Sequence, residues 1–348
     1  ELSAHSLEVT ETLISGARFL VILVAARLLA ETMVRFKLPT ILGELVAGLI
    51  VGISGLHLVV PPETQSALSE GFSAVLGGLA HVPGDVVGEL YAETFPSVEA
   101  VASLGLFSLL FLTGLESDLD ELVAVGGKAT SVAIAGVVLP FAIGTAGLMA
   151  IFQVDLIPAV FAGASMTATS IAITASVFGE LKMLRSSEGQ IVLGAAVLDD
   201  ILGIVILAVV VSLASSGALT IGPIISLVAA AVVFVLAAIA LSRSAAPLFD
   251  KLIENLKATG EIVVASFVVL VVCAFTATAI GLEAALGAFA AGLILSKSKH
   301  RHDIEQQVKP VVALFATIFF VLIGTKMDLS VVNPFDPSNR EGLIIAAF

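Results

Sequence analysis

Residues 194–207 read GAAVLDDILGIVIL, and two carboxylates, Asp199 and Asp200, stand side by side in this otherwise apolar run. A carboxylate in hydrocarbon costs at least about 2.5–3.5 kcal/mol, so an adjacent pair needs a reason. Carboxylate oxygens are hard ligands suited to hard cations, and burial disfavours their charged form. One such group can hold a cation or a proton, each weakening the other. Successive helix positions diverge by about 100°, so one acid can face a cavity while its neighbour turns to a partner helix. The bland alternative is a buried pair satisfied by Ser, Thr or Lys of other helices.

One apolar run earlier, residues 163–174 read GASMTATSIAIT and place Ser165, Thr167, Thr169, Ser170 and Thr174 close together. Ser and Thr offer the backbone alternative hydrogen bonds, and Gly163 adds flexibility. The segment is a candidate break in a membrane helix, with Thr167, Ala168, Thr169 and Ser170 at its centre. Non-helical backbone is tolerated in a bilayer only where protein buries it or where it lines water. Freed carbonyls and hydroxyls would add hard oxygen ligands beside the acids. Small residues for close helix packing are the competing explanation.

The elements carrying these residues belong to an all-α polytopic membrane protein. Of 348 residues 58% are hydrophobic and only 13% charged, half the charge of an ordinary soluble domain. The mean hydropathy is +1.11. The single Cys, Cys273, allows neither a disulfide framework nor a cysteine metal site, and a net charge of −13 argues against nucleic acid. No cofactor is expected.

Apolar runs long enough to approach about 30 Å cover 12–34, 39–54, 100–116, 129–152, 157–178, 187–214, 222–242, 262–281, 283–296 and 309–326, and a further run begins near Glu341. The runs 39–54 and 283–296 are short and could be tilted or interfacial. All Lys and Arg from Arg35 to Arg301 fall in connections after odd-numbered runs, with Lys309 where the last of these meets the run 309–326, whereas those after even-numbered runs hold only Lys326 and Arg340. This asymmetry puts the odd connections in the cytoplasm and the N-terminus outside.

The chain also repeats itself. GELVAGLI at 43–50 resembles GAFAAGLI at 287–294, and FLTGLESDL at 111–119 resembles VLIGTKMDL at 321–329. Each pair is separated by an odd number of runs, which predicts inverted copies, a signature of secondary transporters. The expected organisation is one transmembrane exchanger domain over 1–348, with a first repeat at 1–214, a linker helix and loop at 215–260 and an incomplete second repeat at 261–348. The chain reads as a fragment lacking its C-terminal part, predicted not to transport by itself.

Taken in order, LPTILGELVAGLIVG, ATSIAIT, GAAVLDDILGIVIL and LGAFAAGLILS resemble the bacterial monovalent cation/proton antiporters, in the branch holding the Nap-type Na⁺/H⁺ and Kef-type K⁺/H⁺ proteins. The resemblance implies the Na⁺/H⁺ antiporter fold with a discontinuous crossing helix, a mobile core domain and a dimerisation domain, hence a homodimer in the bacterial inner membrane. It implies that Asp200 is the main cation and proton carrier and Asp199 the assisting acid. Thr167, Ala168 and Thr169 would belong to the unwound segment, with Ser170 beside them. An alkali cation would be held transiently by Asp200, Asp199 and Thr169. Asp-Asp is similar to the electrogenic members, which usually add a Lys in the run beginning near Glu341.

The residues leave Na⁺, Li⁺ and K⁺ open, with a Kef-like gated K⁺ efflux system as the alternative. They point away from an enzyme, because an intramembrane aspartyl protease needs its two acids on separate facing helices. A channel would favour rings of carbonyls or charges, and an organic-anion carrier would want cations at mid-membrane. Elsewhere, Glu44 reads as a structural acid near a helix start. Glu116, Asp118, Asp120 and Glu121 read as a solvated face or loop, and His300 and His302 as part of a basic anchor. The long connection 55–98 could carry an amphipathic helix over TQSALSEGFSAVLGGLA.

Overall fold

The computed structural model describes residues 4–216, 221–255, 260–333, 335, 336 and 339, which are helical or irregular with no strand among them. In chain order the helices are α1 (Ala4–Arg35), α2 (Thr40–Val51), α3 (Glu70–Ala80), α4 (Gly84–Glu93), α5 (Phe95–Glu116), α6 (Leu119–Ala124), α7 (Gly126–Ala150), α8 (Leu156–Ser165), α9 (Ile171–Glu180), α10 (Ser187–Ser216), α11 (Ile221–Asn255), α12 (Glu261–Ala279), α13 (Ala284–Leu295) and α14 (Arg301–Thr325). Among the described residues, seven spans are long and apolar enough to cross a membrane, and α2, α8, α9 and α13 are shorter apolar helices. The ten runs read from the sequence are thus present, the fifth as the broken pair α8 and α9. The run beginning near Glu341, with any Lys it leads to, lies outside the described residues.

Two contact units divide the chain. The described residues of Glu1–Leu106 with Val311–Leu343 make one, and those of Phe107–Pro310 make the other. In the first, Ile22, Ala26, Ala47, Val51, Phe95, Val98, Ile318, Val321 and Leu322 form a common core. Glycines set how closely these helices approach. A Cβ on Gly48 would lie 2.0 Å from the Val321 carbonyl oxygen and 2.7 Å from the Gly324 Cα, and one on Gly43 would meet the backbone of Leu29 and Ala30.

The same pattern recurs inside the second unit. A Cβ on Gly292 would lie 2.0 Å from the Phe111 carbonyl oxygen and would crowd Gly114, and one on Gly287 would meet the backbone of Cys273 and Ala274. Gly287 and Gly292 of α13 match Gly43 and Gly48 of α2 in the sequence repeat, and Phe111 and Gly114 match Val321 and Gly324. Asp118 and Asp328 also match. Asp118 accepts from the backbone N–H groups of Asp120 and Glu121, and Asp328 from that of Ser330.

Several expectations change. The short run 283–296 is not interfacial: every residue from Ala285 to Leu295 is buried, because its Ala and Gly positions admit neighbouring backbones from two sides. The connection 55–98 carries two helices instead of one. Left-handed His81, at φ 57°, and Pro83 end α3 and start α4. Ile14, Leu76, Ala80, Val87 and Tyr91 join them to α1 in a packed cluster. Arg18 of α1 is fully buried there. Its guanidinium lies 3.8 Å from the Tyr91 ring centre and donates to the Tyr91 carbonyl oxygen at 2.5 Å, a cation in the last turn of α4 where the helix dipole favours one.

The basic connections are partly helical. α11 continues through Lys251 to Asn255, and α14 starts at Arg301. The acidic stretch after α5 is ordered, not merely solvated: Asp118 caps α6 and Asp120 pairs with Lys297. Asp250 is buried and accepts from the Ser298 hydroxyl and the Lys299 backbone N–H. In the first unit, the Thr317 hydroxyl donates to Glu44 at 2.6 Å and Lys326 pairs with Glu99 at 2.7 Å.

The α13 packing predicts that Gly292→Ala lowers stability by about 1–3 kcal/mol, the usual cost of overpacking. Gly78→Ala, where a Cβ would meet nothing within 4 Å, should be neutral or stabilising by about 0.5–1 kcal/mol. Thermal loss of the helical circular-dichroism signal in detergent separates the two variants.

Candidate functional site

The site is assembled from α10, the break between α8 and α9, and the start of α13, all within the second unit. Asp200 lies thirteen residues after Ser187 in α10, about 20 Å along a helix and so deep in the span. Asp199 is buried and Asp200 half-buried.

α8 ends at Ser165 and α9 begins at Ile171. Side chains replace the helical bonds lost between them. The Thr167 hydroxyl donates to the Ala164 carbonyl oxygen at 2.8 Å, and the Thr169 hydroxyl to that of Thr167 at 3.4 Å. Ser170 is the N-cap of α9 and accepts from the Ile173 N–H at 3.4 Å. Thr167 is buried, whereas Ala168, Thr169 and Ser170 are exposed. Gly163 is a packing residue and not a hinge. It lies within α8, where a Cβ would be 3.0 Å from the Phe141 carbonyl oxygen and 2.2 Å from the Thr145 hydroxyl.

The two acids divide as adjacent helix positions must. The Asp199 carboxylate lies against the hydroxyl and backbone N–H of Thr169, which places α10 beside the break. Asp200 turns elsewhere, and no described residue donates a hydrogen bond to it. Glu283, at the start of α13, comes near Asp200, because the flanking Leu282 and Leu286 pack with Val197, Ile201 and Ile204 of α10. Sequence reasoning missed Glu283, because its nearness to Asp200 depends on where α13 begins. The structure therefore brings Thr169 to Asp199, while Asp200 stays without a donor partner beside them. Among the described residues, no group of three or more His, Cys, Asp or Glu could hold a metal ion by itself. Any hard-cation site here would have to draw on hydroxyls and carbonyls as well.

A polar cavity of ≈ 560 Å³ lies along α9, between Ser176 and Gly179 and the charged residues Glu116, Glu180, Lys182, Arg185, Glu305 and Lys309. Its walls are tied together. Arg185 and Arg301 both donate to the Glu116 carbonyl oxygen, at 3.1 and 3.0 Å, and cap the C-terminal end of α5. Lys309 bridges Glu116, at 3.2 Å, and Glu305. The cavity thus runs beside the C-terminal half of the broken helix on the Lys- and Arg-rich side.

This arrangement has relatives. The transmembrane sodium/hydrogen exchanger family matches residues 19–348. The high-affinity Na⁺/H⁺ antiporter NhaS3 of Synechocystis sp. is 46% identical over 329 residues, covering 94% of this chain and 71% of that protein. An Na⁺/H⁺ antiporter of Enterococcus hirae is 30% identical over 310 residues, covering 89% and 72%. The Na⁺/H⁺-K⁺ antiporter GerN of Bacillus cereus is 29% identical over 305 residues, covering 87% and 69%. The solved structure of the sodium proton antiporter MjNhaP1 from Methanocaldococcus jannaschii shares the fold with a TM-score of 0.59 at 18% identity, covering 97% and 75%. These relatives are transporters and not enzymes, and this multi-pass membrane chain belongs to the sodium/hydrogen exchanger family.

Proposed function

We propose that the chain exchanges a monovalent cation, Na⁺ foremost, for H⁺ by alternating access at Asp200, with Asp199 assisting. The observation that carries this reading is the division of labour in the acid pair. Asp199 lies against Thr169 at a helix break, and Asp200 is left without a donor partner deep in the span. A carboxylate so placed binds a cation or a proton, and competition between the two is all that coupled exchange needs. Hydroxyls and carbonyls of Thr167, Ala168, Thr169 and Ser170 stand beside it as hard oxygen ligands for the transient cation.

The 46% identity to NhaS3, named as a high-affinity Na⁺/H⁺ antiporter, supports Na⁺. A second reading, K⁺/H⁺ exchange, is favoured by the name of GerN, an Na⁺/H⁺-K⁺ antiporter. The Lys and Arg asymmetry supports an N-terminus outside and the basic connections in the cytoplasm of a bacterial inner membrane. The matched glycine contacts of α2 and α13 support two inverted repeats. A homodimer follows from the family resemblance.

The test uses the full-length protein in proteoliposomes and follows ΔpH dissipation on addition of Na⁺, Li⁺ or K⁺. Asp200→Asn should reduce exchange to the level of empty liposomes, and Asp199→Asn should weaken it. Wild-type exchange by Asp200→Asn overturns the reading.

Thr169 gives a graded prediction in the same assay. Thr169→Val removes the hydroxyl beside Asp199 and should raise the KM for Na⁺ by about 10-fold, the scale of one charge-assisted hydrogen bond. Thr169→Ser keeps the donor and should retain the wild-type KM.

A further inference from the structure

A cavity of ≈ 420 Å³ lies within the first unit, between α1, α2 and α14. Its walls are Leu, Val and Ala except for three side chains, Arg27, Glu44 and Thr317. The exchange site uses none of them. Gly43, just before Glu44, seats α2 on α1: a Cβ there would lie 2.5 Å from the Leu29 carbonyl oxygen and 2.6 Å from the Ala30 nitrogen. This approach brings Glu44 beside the turn of α1 that carries Arg27. The Thr317 hydroxyl donates to the Glu44 carboxylate at 2.6 Å and steadies it.

Arg27 is exposed and forms no ion pair within 4.0 Å among the described residues. Val24 and Leu28 on the same side of α1 are 48% and 65% exposed, so the cavity opens on an apolar face of a membrane-spanning helix. A guanidinium in such a face is costly unless an anion or water meets it. Its depth narrows the choice. α1 ends at Arg35, which puts Arg27 about 12 Å inside that end. α2 begins at Thr40, which puts Glu44 about 6 Å inside the same side. Headgroup layers are about 5–7 Å thick on either side of a hydrocarbon core of about 30 Å. Both charges therefore stand near one membrane surface, with Arg27 the deeper. Leu23 and Val24, a turn before Arg27, lie deeper still. From the surface inward the cavity thus presents a carboxylate, a guanidinium and an apolar wall.

We propose that this cavity seats one phospholipid with a phosphoethanolamine headgroup, its ammonium on Glu44, its phosphate on Arg27 and its acyl chains along Leu23 and Val24. Charge complementarity selects this occupant. A planar guanidinium matches a phosphate, and a carboxylate accepts from ammonium N–H groups. An acidic headgroup would set more negative charge against Glu44, and a choline has no N–H to donate. The bound lipid splints α1, α2 and α14 near the membrane surface. The proposal does not depend on Asp200.

The test uses the full-length protein, delipidated in detergent and offered equal amounts of phosphatidylethanolamine, phosphatidylcholine and phosphatidylglycerol with identical acyl chains. Native mass spectrometry reads the lipid retained per chain. The wild type should retain phosphatidylethanolamine about 10-fold over either competitor, the scale of one charge-assisted hydrogen bond. Arg27→Gln and Glu44→Gln should each abolish that preference. Val24→Trp, which fills the cavity from its exposed side, should lower phosphatidylethanolamine retention to the level of the competitors. Because Val24 is half-exposed, this variant locates the site even where a charge variant does not fold. Equal retention of the three lipids by the wild type overturns the proposal, and so does a preference for phosphatidylglycerol, which marks Arg27 as a plain anion anchor. A preference that survives in Val24→Trp and in the folded charge variants places the lipid elsewhere and overturns it. Failure of all three variants to fold marks these residues as structural and does the same. A lipid-free wild-type dimer that dissociates in Arg27→Gln overturns it too, by marking this face as a contact between copies of the chain.

Discussion

A polar group inside a membrane-spanning protein must find its partner within the protein or beside water. The region around α10 is arranged by that constraint. The break between α8 and α9 frees peptide groups, and hydroxyls of Thr167, Thr169 and Ser170 take them up. Thr169 also sets its polar groups against Asp199. Each feature needs the other: the break without hydroxyls would strand backbone groups, and Asp199 without the break would strand a buried charge. Asp200 stands outside this mutual satisfaction.

Close backbone approach is the second organising device. Lipid tails are as apolar as Leu, so helices in a bilayer associate through packing at small residues more than through a hydrophobic drive. Gly48 against Val321 and Gly324, and Gly292 against Phe111 and Gly114, are matched solutions in two units of the same chain. In α13 the approach is close enough to bury eleven successive residues. Glu283 precedes that helix as its N-cap, so the packing of α13 also sets where this carboxylate stands.

Within the second unit, cations gather around the C-terminal end of α5. Two guanidiniums, Arg185 and Arg301, converge on the last carbonyl of α5, and Lys309 bridges two acids nearby. Helix C-termini carry partial negative charge and unsatisfied carbonyls, so this clustering satisfies local chemistry. It also links the connection after α9 to α5 and α14 around a polar cavity. The same residues that read as a sidedness signal in sequence are structural caps in three dimensions.

The sequence alone determined the membrane class, the number of apolar runs, the acid pair and the polar segment one run before it. These follow from local composition and period, since hydrocarbon thickness dictates run length and the cost of burying charge makes an intramembrane acid conspicuous. It placed the break within a few residues because Thr and Ser compete with helical hydrogen bonds. Only the tertiary structure decided which acid faces which partner. Adjacent positions on a helix differ by rotation alone, and the neighbour met at each angle comes from residues far away in the chain. For the same reason the burial of α13, the packing role of Gly163 and the nearness of Glu283 to Asp200 could not be read from their own segments. Each depends on a backbone brought close by the fold, and a linear pattern does not record that distance.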